Sequence, residues 1–123
     1  MKRKILALVV RAELDEVILG RYTTDEWRGE IDGYLEGVSP NTPGSPAWFA
    51  YCDEEGKLKG LPPNLLATAL ARAAGWRTPD FLCGPVVFFG PPDHDGNETD
   101  VTQEFLACGT DLFVGGVPNV EEL

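Results

Sequence analysis

Cysteine, histidine and methionine are scarce in this chain: three, one and one among 123 residues. Cys52, Cys83 and Cys108 are odd in number and far apart, and no C-x-x-C pair exists, which argues against a zinc site. Each sits among apolar neighbours, where cysteine behaves as a small buried hydrophobe, and this usage fits a reducing cytoplasm. No Lys or Arg follows Arg77. No apolar run approaches membrane-spanning length. Met1-Lys2-Arg3-Lys4 followed by Ile5 to Val10 imitates a signal peptide, but the run ends at Arg11 without a cleavage site, so it reads as part of the fold. Neither G-x-G-x-x-G nor a P-loop occurs, so nucleotide chemistry has no positive signal. Ser39 and Ser45 lack G-x-S-x-G framing, which leaves a serine hydrolase unsupported.

Hydrophobic residues make up 43% of the chain, enough for a genuine core and too many for a disordered one. The length suits a single domain, read as a body over residues 1–108 and a tail over 109–123. Leu112-Phe113-Val114 in that tail is an apolar cluster suited to docking on the sheet or on a partner. Twenty acids face ten bases, a net charge of -10. Direct binding of nucleic acid is disfavoured, because it needs Lys and Arg to displace phosphate counterions. A basic host protein, or a surface that normally holds DNA, is electrostatically easier to approach. The simpler alternative is that the charge only maintains solubility. The acids are also unevenly placed: Asp80, Asp93, Asp95, Glu98, Asp100, Glu104, Asp111, Glu121 and Glu122 all follow the last base.

Lys4 to Val10 reads as a buried strand, and Glu13 to Leu19 as a second strand beside it, with Leu14 and Val17-Ile18-Leu19 supplying apolar surface. Thr23 and Glu26 have capping-box spacing, Tyr22 and Trp27 form a hydrophobic staple, and Trp27 and Ile31 share a helix face. Gly33 is placed to supply the left-handed stop. Gly29 inside this helix costs about 1 kcal/mol relative to Ala, so the helix depends on packing. Tyr34 to Val38 and Ala47 to Cys52 read as strands around an exposed Ser39 to Pro46 loop. Asp53-Glu54-Glu55-Gly56 reads as a reversal into a further strand, Lys57 to Leu61. Asn64 caps a helix whose Leu66, Leu70 and Ala73 share a face and which Gly75 closes. Val86 to Phe89 reads as a central strand, with Pro85 at its start or at a bulge. Asp100 with Gln103 signals another helix start, with Val101 and Phe105 on one face and Gly109 at the end. The pattern predicts an α+β single domain: a mixed or largely antiparallel sheet with two to three helices packed on one face.

Asp93, Asp95, Asn97, Thr99 and Glu104 stand at the oxygen-ligand offsets of a calcium loop. The glycine such a loop requires at its sixth place is Glu98, and the predicted helix carries Glu104 away, so an Asx-rich turn feeding a helix cap is the simpler reading. His94 between two acids has the chemistry of a titratable acid or base, but no nucleophile motif lies nearby and a solvated loop residue is the simpler reading. Asp53-Glu54-Glu55 reads as a solvated hairpin tip balanced by Lys57 and Lys59 rather than as a catalytic dyad. Among the aromatics, Trp48 and Trp76 flank loops and are the candidates for a partner surface or pocket; the others belong in the core. The tentative partner- or ligand-binding set is therefore Trp48, Trp76, Asp93, His94, Asp95, Glu98 and Asp100, with no catalytic residue, metal ligand or cofactor assigned.

Three segments carry a resemblance: Gly33-Tyr34-Leu35-Glu36; the run from Asp53-Glu54-Glu55-Gly56 through Leu61-Pro62-Pro63-Asn64; and Gly84-Pro85-Val86-Val87-Phe88-Phe89-Gly90-Pro91-Pro92 with Gly96 to Val101. In order and spacing they resemble domain-of-unknown-function family 3846, over Lys4 to Leu106, with the tail after Gly109 outside. The resemblance implies a small cytoplasmic protein of phages, plasmids or their hosts, and brings no activity, cofactor or catalytic residue. Two departures are an expanded Ser39 to Pro46 loop and Cys52 in place of a small polar residue.

The leading expectation is a non-enzymatic acidic accessory protein of a phage or mobile element that binds a host protein, with DNA mimicry as a narrower version. It would contact neither nucleic acid nor membrane directly. The runner-up is a small-molecule or nucleotide sequestering domain, with a pocket formed by Trp48, Trp76 and the Gly90 to Asp100 loop. A metal-dependent hydrolase using Asp93, Asp95 and Asp100 comes third.

Overall fold

The computed structural model describes residues 2–13 and 16–123. Leu14, expected in the second strand, lies outside the described residues. Strands β1 (Ile5–Arg11), β2 (Glu16–Tyr22), β3 (Leu35–Val38), β4 (Phe49–Asp53) and β5 (Val86–Phe89) form one sheet in the order β2-β1-β5-β4-β3. Every neighbouring pair is antiparallel. Helices α1 (Thr24–Ile31), α2 (Leu65–Ala73) and α3 (Gln103–Ala107) complete the α+β domain. Among the described residues no helix is long and apolar enough to cross a membrane.

The central strands are buried on both faces, which explains their continuous apolar runs. Leu6, Leu8, Val10, Val86 and Phe88 face α2 and α3, while Ile5, Ala7, Val9, Val87 and Phe89 face Trp27 and Ile31 of α1. Two helices therefore share one face, and α1 covers the other.

Several local expectations change. The second strand runs Glu16–Tyr22, three residues later than the apolar pattern placed it. The α1 cap forms as read: Thr23 accepts from the Glu26 N–H, and Glu26 reaches back to the Thr23 N–H. Its left-handed stop is Asp32, at φ 50° and ψ 51°, rather than Gly33. Asp tolerates this region better than most side-chain-bearing residues, and its N–H closes the helix on the Arg28 carbonyl. Gly33 is small for another reason: a Cβ there would land on the Asp53 carboxylate.

No strand forms over Lys57 to Leu61. Successive turns occupy it instead, with Lys59 N–H on the Glu55 carbonyl at 2.9 Å and Leu61 N–H on the Gly56 carbonyl at 2.9 Å. On α2 the buried side chains are Ala67, Thr68, Leu70 and Ala71, so Leu66 is half-buried and Ala73 exposed. The α3 cap is Thr102, which accepts from the Phe105 N–H at 3.2 Å. Asp100 has a different partner, the Leu6 N–H at 2.9 Å, and so ties the loop to β1. In the tail, Leu112, Phe113, Val117 and Val120 pack against the larger cluster.

One end of the sheet is forked. Strand β1 continues to Arg11, opposite Glu16, and β4 continues to Asp53, opposite Leu35. Strand β5 lies between them but starts only at Val86, opposite Val10. Its predecessor Pro85 has no N–H and cannot extend the ladder. Asn64 spans part of the gap. Its amide nitrogen donates to the carbonyls of Val10 and Gly84, both at 2.9 Å, and its oxygen caps α2 by accepting from Ala67 N–H at 3.0 Å.

Candidate functional site

The fork opens a cleft of about 440 Å³, within the size range of small-ligand sites. Ile31, Leu61, Pro62 and Pro85 supply apolar wall, and Gly84 brings backbone close to it. Gly84 has φ 75°, and a Cβ there would stand 2.7 Å from Leu61 Cδ1, so both the turn and the packing require glycine.

Two cations, each held by carboxylates, flank the cleft. The Arg11 guanidinium donates to both Glu30 oxygens, at 3.1 and 2.6 Å, and to Glu16 at 2.8 Å. The Glu30 hydrogen bonds hold Arg11 above its ordinary pKa. On the other side, the Asp53 side chain is only 1% exposed, and its oxygens accept from Lys59 Nζ at 2.6 Å and Glu55 N–H at 2.9 Å. Burial alone would raise the Asp53 pKa; the Lys59 ammonium and the Glu55 N–H outweigh it and hold the carboxyl below its usual value. The acidic turn is thus not a wholly solvated tip, because its first acid is buried and paired.

The residues singled out by sequence do not come together here. Trp48 is 2% exposed and donates its indole N–H to the Ala74 carbonyl at 2.9 Å, which makes it a core residue unavailable to a partner in this conformation. Trp76 is half-buried against the same core. Asp93 folds onto its own loop, accepting from Asp95 N–H and Asn97 N–H, each at 2.9 Å. Those bonds, Asn97's first, lower its pKa. His94 is exposed and lies 3.6 Å from Asp95. Glu98 is half-buried; burial first, and the Glu98 charge second, push the Tyr51 hydroxyl up. Asp100 is engaged with β1. Among the described residues no three His, Cys, Asp or Glu side chains converge as a metal site would require. Cys52 is a poor nucleophile, since burial pushes its thiol up to about 12.

Sequence reasoning gave no site role to Arg11, Glu30 or Asp32, and read Asp53 and Lys59 only as parts of a solvated turn. The available signal was the motif block itself. Asp53, Lys59, Leu61 and Pro62 from its middle segment, and Gly84 and Pro85 from its third, line the cleft. Gly33 of the first segment sits against Asp53. The family model described as "Domain of unknown function (DUF3846)" matches residues 5–114.

The chain belongs to the DUF3846 family. The match extends beyond the Leu106 limit set by the sequence resemblance and takes in Leu112 and Phe113, which pack on the core. No curated protein and no solved structure matches the chain. For this DUF3846 domain the cleft therefore has to be read from its own chemistry: an apolar wall between two carboxylate–cation pairs, at a place where the sheet lacks a rung.

Proposed function

We propose that this chain is a non-enzymatic acidic accessory protein of a phage or mobile element that acts by binding a host protein. The supporting observation is uncompensated charge. Asp93, Glu98, Asp100, Glu104, Asp111, Glu121 and Glu122 form no ion pair with Lys or Arg among the described residues. The Lys2, Lys57 and Lys59 ammoniums and the Arg11 guanidinium are already engaged elsewhere. A DNA-mimic version would draw on Glu98, Glu104, Asp111, Glu121 and Glu122, because Asp93 and Asp100 spend oxygens on backbone N–H groups.

Affinity capture with the tagged protein at low salt, followed by reciprocal capture of the recovered partner, tests this reading. The complex should dissociate at high salt and weaken when Glu104, Asp111 and Glu121 are replaced by Lys. Binding indifferent to both changes rejects the electrostatic surface.

One observation favours a second reading as a sequestering domain for a small molecule: the cleft itself. Its place is the forked sheet end rather than the Trp48–Trp76 region. Native mass spectrometry of protein purified from its host, with and without denaturation, would reveal a retained metabolite.

A further inference from the structure

We infer that the forked sheet end is a binding site for an alkyl cation, a ligand with an aliphatic stem and an ammonium or guanidinium head, presented as a Lys or Arg side chain of a bound protein. This rests on reading the chain as a binding protein and specifies where and what it grips. Four carboxylates line the cleft (Glu13, Glu30, Asp32 and Asp53) against two cations, Arg11 and Lys59. Glu30 and Asp53 are matched internally by those cations. The Asp32 carboxylate has no ion-pair partner among the described residues and is held at the cleft by a left-handed backbone that ends α1. The surplus charge of the lining is negative, which disfavours phosphate or carboxylate ligands. The walls between the charges are Ile31, Leu61, Pro62 and Pro85. A purely polar cation would leave them wet, and a purely apolar group would take water from the exposed Asp32 carboxylate without supplying a counter-charge. Lys and Arg side chains join a methylene stem to a charged head and satisfy both requirements.

The test is titration of isotope-labelled protein followed by amide chemical shifts. The probes are Ac-Gly-Arg-Gly-NH2 and Ac-Gly-Lys-Gly-NH2, with norleucine and glutamate in the central position as controls. The cationic peptides should saturably shift the amides of Ile31, Asp32, Leu61 and Gly84. The norleucine peptide, which keeps the stem and loses the head, should bind about five-fold or more weakly. Asp32→Asn keeps the left-handed backbone, because Asn is at ease there, and should weaken the cationic peptides about three- to five-fold without changing the melting temperature. Glu13→Gln is a second variant with the same expectation. Agmatine carries the same head without a peptide. Weaker binding of agmatine than of the arginine peptide supports a protein-borne side chain, and equal or tighter binding overturns that assignment in favour of a free amine. Norleucine binding as tightly as lysine, a preference for glutamate, or shifts confined to other residues overturns the inference. Because the probes are read on purified protein, such a failure leaves salt-dependent host capture standing.

Discussion

The two faces of the sheet solve the burial of polar groups in different ways. Beneath α2 and α3, seventeen buried residues form the larger cluster, and Trp48 within it and the buried Thr68 and Asn64 of the α2 segment are neutral and hydrogen-bonded. Trp48 donates to Ala74, Thr68 donates to the Asn64 carbonyl and accepts from Leu82 N–H, and Asn64 spends both ends of its amide. Beneath α1 the cluster has only seven buried residues. There the Trp27 indole N–H is buried without an acceptor, and the nearby buried polar side chain, Asp53, is a charge that relies on one lysine and one N–H. A thick layer can shield neutral hydrogen bonds on all sides. A single eight-residue helix cannot, and the thin face is where the structure opens into the cleft.

The strongest way to break this contrast is to delete the polar group at the centre of each side. Asn64→Ala removes a helix cap and leaves the buried Val10 and Gly84 carbonyls without a donor, so urea denaturation should show a loss of about 3–4 kcal/mol. That loss should not vary with pH, since no titrating group is involved. Asp53→Asn should cost about 2 kcal/mol at neutral pH, because a buried charge-assisted bond becomes a neutral one. Here the pH dependence has a definite sign. The folded Asp53 pKa lies below its ordinary 3.8, so its contribution is fully present above that value. It is lost as the pH falls through the folded pKa. The gap between the native protein and Asp53→Asn should therefore narrow below about pH 4, while the Asn64→Ala gap stays constant. Parallel curves for the two variants would abolish the distinction between the faces.

The tryptophans sharpen the same contrast at smaller scale. Each is essentially fully buried, and each packs against aromatic rings: Trp27 on Tyr51 and Phe89, Trp48 on Phe88 and Phe105. Replacement by Phe removes similar volume from both sites. At Trp48 it also strands the Ala74 carbonyl, whereas at Trp27 it removes an N–H that has no partner. Trp48→Phe should thus be the more destabilising, by about 1–2 kcal/mol in melting or denaturant experiments.

Local chemistry was legible in the sequence wherever a residue's role depends on near neighbours. The Thr23–Glu26 box, the Asn64 cap, the Gly75 closure and the apolar run of β5 required nothing beyond a few residues. Some errors come from a partner far along the chain, and others from local turn geometry that residue spacing does not fix. Asp100 has helix-start spacing but serves β1, 94 residues away. Lys57 to Leu61 has the look of a strand, but successive local turns occupy it and bring Lys59 to the buried Asp53 six residues back. The cleft was invisible because its parts lie far apart along the chain. It exists because Pro85 stops one strand while β1 and β4 continue, and its lining comes from five separate stretches of chain. The quoted motif segments nonetheless supply half of that lining, so the resemblance marked the region even though its shape did not follow from any one segment.

The smallest effect concerns the helix that covers the thin face. Gly29 lies inside α1, exposed, with nothing within 4 Å of the position its Cβ would take. It has neither the close packing of Gly33 nor the positive φ of Gly84, so no conformational or steric demand explains it. Gly29→Ala should stabilise the protein by about 0.5–1 kcal/mol, by restricting the unfolded chain and favouring helix, with the gain read from the urea midpoint at unchanged slope. Gly33→Ala, four residues on, should do the reverse, since its methyl would displace the Asp53 carboxylate. If Gly29→Ala gave no gain, α1 would owe its stability to packing on Trp27 and Ile31 alone. The thinness of its face would then be no measure of how firmly it is held.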